Sequence, residues 1–68
     1  MKTKFAERLN ELRVEKGLTK TQLGEIFHVS RTTVYHWEQG DQQPSLETFV
    51  DIMIYFGVSA EYLLGLED

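Results

Sequence analysis

The stretch HVSRTTVYHWEQG, His28 to Gly40, holds both histidines and the only tryptophan of this 68-residue chain. It reads as a turn, a capped start, one short helix and a stop. Ser30 is a strong N-cap residue, and Gly40 supplies the left-handed conformation that commonly ends a helix. With about 100° of rotation per residue, Val34, Trp37 and Glu38 of a helix over 31–39 point one way. Thr32, Tyr35, His36 and Gln39 point the other way. The apolar pair anchors the helix and leaves short donors and acceptors outside, with Arg31 in the first turn.

Outward from this stretch the punctuation predicts four more helices. Phe5, Leu9 and Leu12 recur at helical spacing, Thr3 can cap the start and Gly17 can end it, giving a first helix over 4–16. Thr19 and Gln22 have the spacing of a capping box, which starts a second helix over 20–27 with Leu23, Ile26 and Phe27 on its buried face. Only His28 and Val29 separate that helix from Ser30, so helices two and three form a helix-turn-helix. Asp41 to Pro44 is a loop, since proline disfavours helix in the residue before it. Ser45 then caps a helix over 46–56, and Ser59 caps a last one over 60–64. The fourth carries so many apolar residues that it must be central or shared.

A chain this short forms one domain, expected over 1–68, with a core of modest stability. There is no cysteine, so no disulfide framework, and the chain fits a reducing compartment. His28 and His36 are eight residues apart across a turn with no cysteine between them, which makes a poor metal site; no metal and no cofactor are expected. The longest apolar run, Ile52 to Phe56, falls far short of the roughly 18 residues of a membrane span. A cytoplasmic protein without a membrane partner is expected.

The net charge of −4, taken alone, argues against nucleic acid, whose nonspecific affinity comes from lysine and arginine. Its distribution reverses that impression. All seven basic residues lie in the first 31 positions, where residues 1–40 set them against five acidic ones for a balance of +2. The remaining six acidic residues all lie in 41–68. One part of the surface can face phosphate and the other avoids it.

A protruding helix with hydrogen-bonding side chains suits the major groove, where each base pair presents a distinct pattern of donors and acceptors. Arg31 can pair bidentately with guanine, Thr32 can meet a base edge or a thymine methyl, and His36 can donate or accept according to tautomer. These three are the candidate base contacts, and Tyr35, Gln39 and Gln42 are candidates for phosphate. Plainer readings stand beside them, in which Arg31 is solvated or bound to phosphate and Tyr35 is merely exposed; Trp37, which shares the inward face with Val34, reads as core and not as a base-stacking platform.

With those residues placed, the chain resembles the Xre family of DNA-binding domains, which includes the repressor and Cro proteins of lambdoid phages. The resemblance rests on Gly17-Leu18-Thr19, Leu23, Val29-Ser30, Val34, Trp37-Glu38, Gly40, Pro44, Gly57-Val58-Ser59 and Tyr62-Leu63-Leu64-Gly65. It implies an all-α, compact five-helix bundle of the phage-repressor type. It also implies that the third helix enters the major groove of double-stranded DNA, that Thr19, Lys20 and backbone N–H groups at the start of the second meet phosphate, and that Arg13 pairs with Glu38 as a structural ion pair. Two positions and one loop depart from the family pattern. Lys20 stands where glutamine is common, His28 where glycine is usual, and the loop Gln39-Gly40-Asp41-Gln42-Gln43 lacks the family's frequent basic residues. His28 must therefore tolerate a positive φ.

The function expected from this reading is a sequence-specific transcriptional regulator of repressor type, binding as a homodimer to half-sites roughly 34 Å apart. Leu63, Leu64 and Leu66 are the candidate dimer contacts, with filling of the monomer core as the competing role. The alternative from another class is a helix-turn-helix module turned protein-binding adaptor, its acidic C-terminal face meeting a basic partner. An enzyme is the weakest reading, because no nucleophile, metal or phosphate-loop spacing is visible, and no small-molecule substrate is evident.

Overall fold

The computed structural model describes residues 3–67. Among them the chain forms five helices and no strand: α1 (Phe5–Glu15), α2 (Lys20–Phe27), α3 (Arg31–Gln39), α4 (Leu46–Phe56) and α5 (Ala60–Leu64). α2 to α5 have the bounds that capping chemistry predicts. Thr19, Ser30, Ser45 and Ser59 each accept a hydrogen bond from a backbone N–H three residues on. At Thr19 the reciprocal half is present too, because Gln22 Oε1 accepts from the Thr19 N–H at 2.9 Å.

α1 is one residue shorter at each end than its spacing predicts. Its N-cap is Lys4, without a side-chain cap; Thr3 sits one position too early, and its hydroxyl accepts only a long bond, 3.4 Å, from the Phe5 N–H. At the other end Gly17 takes φ +72, while its N–H donates to Val14 O and that of Leu18 to Arg13 O. These two bonds satisfy carbonyls that a bare helix end leaves open.

Phe5, Leu9, Leu23, Val34, Trp37, Ile52 and Leu63 form the buried core, to which every helix contributes. α3 is the hub, packed against both α1 and α2, while α5 closes on α1 and α4. Trp37 is 2% exposed and Val34 fully buried, so the indole is turned into the protein. Burying two such side chains contributes about 1.5–3 kcal/mol each, which sets the roll of α3 about its own axis and the side it leaves outside.

The tight turn between α2 and α3 rests on two residues. His28 adopts φ 60 and ψ 41, a left-handed conformation that costs an L-residue roughly 1–2 kcal/mol. Its neighbour Val29 then donates to Gly24 O at 2.8 Å. A Cβ at Gly24 would come within 2.5 Å of Val29 O, so the chain turns this closely only because position 24 has no side chain.

Leu63 corrects the expected set of dimer contacts. It is fully buried where α5 docks on α1 and α4, and it has no surface to offer a second copy. Leu64 is half-buried and Leu66 is exposed. The exposed apolar surface is instead carried mainly by α4, with Leu46 80% and Ile54 74% exposed and Val50 between them on the same stripe.

Candidate nucleic-acid interface

α3 presents its two faces differently. On the inner side, Glu38 joins α3 to α1: Arg13 Nε lies 2.7 Å from Glu38 Oε2 and Arg13 Nη2 3.2 Å from Oε1. This is the paired geometry in which a guanidinium binds a carboxylate through two bonds. The network extends further than the pair. Asn10 Nδ2 donates to Glu38 Oε1 at 2.8 Å, and Arg13 Nη1 donates to Leu18 O at 2.8 Å. Arg13 and Glu38 side chains are 10% and 3% exposed, so both charges are out of water and every bond counts. Sequence reasoning missed Asn10, although its position three residues before Arg13 on the same helix face was a usable signal.

On the outer side Arg31 and Thr32 are exposed, and among the described residues neither side chain has a hydrogen-bond partner. His36 is half-buried one turn further along the same face. Its Nδ1 lies 3.1 and 3.2 Å from the two oxygens of Asp41, a contact that the turn at Gly40 makes possible. Tyr35 is 42% exposed with its ring edge-on to the His36 imidazole. Gln39 and Gln42 are both exposed around the end of α3. The structure thus brings Arg31, Thr32, Tyr35, His36 and Gln39 onto one surface.

At the start of α2 the capping box changes what is available to an anion. The Thr19 N–H and the Gln22 N–H are already engaged. The N–H groups of Lys20 and Thr21 remain without intrahelical acceptors, at the positive end of the helix dipole. Lys20, half-buried as a residue, adds a positive charge there. α2 and α3 therefore offer donors from two helix starts; Asp51 and Glu61 lie on other elements, α4 and α5, while Glu25 is an exposed carboxylate of α2 itself.

A sequence model described as helix-turn-helix matches residues 9–63, a span that includes α2, the turn, α3 and the Arg13 to Glu38 network. The chain belongs to this helix-turn-helix family. The domain is 41% identical over 64 residues to the HTH-type transcriptional activator BcrR of Enterococcus faecalis, covering 94% of this chain and 31% of that protein. It is 32% identical over 61 residues to the cryptic phage CTXphi transcriptional repressor RstR of Vibrio cholerae, covering 90% of this chain and 55% of that one. A crystal structure of a transcriptional regulator from Listeria innocua superposes with a TM-score of 0.91 at 31% identity, over all of this chain and 64% of that one. The helix-turn-helix domain thus spans about a third to just under two thirds of the length of these relatives. They are regulators of transcription by name, not enzymes. Among the described residues no three His, Asp or Glu side chains gather where a metal could sit, and no helix is long and apolar enough to cross a membrane.

Proposed function

We propose that the helix-turn-helix domain binds double-stranded DNA sequence-specifically, laying α3 in the major groove and reading an operator half-site through Arg31, Thr32 and His36. One observation carries this reading. The buried Val34 and Trp37 fix the roll of α3, and the side chains left outside are those that can bond base edges. Thr19, Lys20, Tyr35, Gln39 and Gln42 supply phosphate contacts around the groove. We place it in the cytoplasm, with the DNA it binds.

Repression is the sense of regulation we assign, because steric occlusion of a promoter needs occupancy alone. The activator and repressor names of the two relatives leave either sense open to a longer protein carrying this domain. Two copies on a two-fold operator complete the proposal. The second copy would cover the uncovered stripe of α4, Leu46, Val50 and Ile54, together with Leu64 and Leu66, while Leu63 stays in the core. An apolar groove of about 380 Å³ lined by Phe5, Pro44, Leu46, Phe49 and Leu64 borders that stripe.

Selection from a random duplex pool tests base reading. The wild type enriches one half-site, and Arg31→Ala loses preference at one position while staying folded. Equal retention of all sequences by wild type and variant would refute it, and capture of a basic protein partner instead would favour the adaptor alternative. Sedimentation on DNA tests the dimer: Ile54→Asp, at a side chain 74% exposed, should leave the fold intact and halve the number of copies on a two-fold site.

A further inference from the structure

Asp41 is out of place on a surface that faces phosphate. It is 62% exposed by side chain and lies against His36 of α3, 38% exposed, with Nδ1 at 3.1 Å. A carboxylate can only accept a hydrogen bond, so the nitrogen facing it carries the hydrogen. In the neutral ring the other nitrogen, Nε2, then carries a lone pair and no hydrogen. Among the described residues Nε2 has no partner, and it belongs to a side chain one turn from Thr32 on the outward face.

The choice of tautomer has a consequence in the major groove. There the only hydrogen-bond donors are the exocyclic amines, N6 of adenine and N4 of cytosine, whereas guanine N7 and O6 and thymine O4 accept. We propose that Asp41 is a positioning residue for base choice: by accepting from Nδ1 it fixes the His36 tautomer, so that Nε2 accepts from the amine of an adenine or cytosine. This rests on the DNA-binding reading above and assigns the base class that one side chain of that surface takes. It also accounts for a negative charge beside the interface, which costs uniform affinity and returns discrimination at one position.

Two measurements on the 68-residue protein test the proposal, with Asp41→Ala, which removes the acceptor, and Asp41→Asn, which removes the charge but keeps one. Nitrogen-15 spectra of the histidine rings are recorded without DNA at about two pH units above the ordinary imidazole pKa of about 6.5. They should show His36 as the Nδ1–H tautomer in the wild type and shifted toward Nε2–H in Asp41→Ala. Selection from a duplex pool at the same pH, where the ring is neutral, should then show one half-site position at which adenine or cytosine is preferred by about three- to tenfold, lost in Asp41→Ala and at least partly kept in Asp41→Asn. An Nε2–H wild type, a tautomer indifferent to position 41, or an unchanged base preference in Asp41→Ala overturns the proposal. If the wild type selects no sequence at all, the DNA-binding reading falls and the base assignment with it, and the spectra still show whether Asp41 holds the tautomer.

Discussion

Two acid–base pairs lie at the far end of α3, and they differ in their access to water. Glu38 with Arg13 is shut away from water, with side chains 3% and 10% exposed, whereas Asp41 with His36 is open, at 62% and 38%. The same chemistry performs opposite services. A buried pair held in a network of four hydrogen bonds cannot lose one member without leaving a charge stranded, so it holds α1 and α3 in register. An exposed pair is screened by solvent and contributes little to folding, which leaves it free to tune what the surface recognises. Neighbouring positions of one nine-residue helix are thus divided between holding the fold and presenting its chemistry.

The largest effect that tests this contrast is at Glu38. Glu38→Ala should cost about 3–5 kcal/mol by stranding Arg13 and freeing Asn10, a large part of the stability of a domain this small, read as loss of a cooperative melt near room temperature. An unchanged melting temperature would remove the network from the account. Next comes Gly24→Ala, where the added Cβ meets Val29 O at 2.5 Å; a loss of about 1–3 kcal/mol is expected from forcing the turn apart. On the outer face Arg31→Ala should weaken the selected site by about 1–3 kcal/mol with no change in melting. A melting change as large as the affinity change would move Arg31 to the structural side of the comparison. His28→Gly should stabilise by about 1 kcal/mol, because glycine takes φ 60 without strain. Smallest is Asp41→Ala, expected to change stability by no more than about 0.5 kcal/mol in denaturant unfolding.

How much of this was legible in the sequence follows the range of the interactions concerned. The starts of α2, α3, α4 and α5 are written in Thr19, Ser30, Ser45 and Ser59, because a cap acts over three residues and needs no tertiary context. The start of α1 is not, since Thr3 offers the right hydroxyl one position too early and packing of Phe5 into the core decides where the helix begins. Leu63, Leu64 and Leu66 are chemically alike. Only the docking of a five-residue helix separates the one that is buried from the one that stays out. The inward turn of Trp37 could be read from its spacing to Val34, whereas the Asn10 to Glu38 bond spans 28 residues and required α1 and α3 to be seen together. His36 and Asp41 are only five apart, yet their contact depends on the turn at Gly40, which a helical wheel does not extend to.

The outward face also limits how strongly phosphate can be held. Arg31 and Lys20 are the cations on α2 and α3, and the loop after α3 contributes Asp41 instead of a base. Of about three to five phosphate contacts per copy, only those made by Lys20 and Arg31 release counterions, so the slope of log affinity against log salt should be about −1 to −2 per copy. A much steeper slope would mean that cations elsewhere on the domain reach the backbone.

The most direct test of the central claim, that α3 is held by its inner face and reads DNA with its outer one, is selection from a random duplex pool at low salt, run in parallel with thermal melting on the wild type, Arg31→Ala and His36→Ala. A single enriched half-site is expected for the wild type, with altered preference at different positions for the two variants and all three melting alike. Variants that lose stability together with binding, or a folded wild type that enriches no sequence, would contradict it.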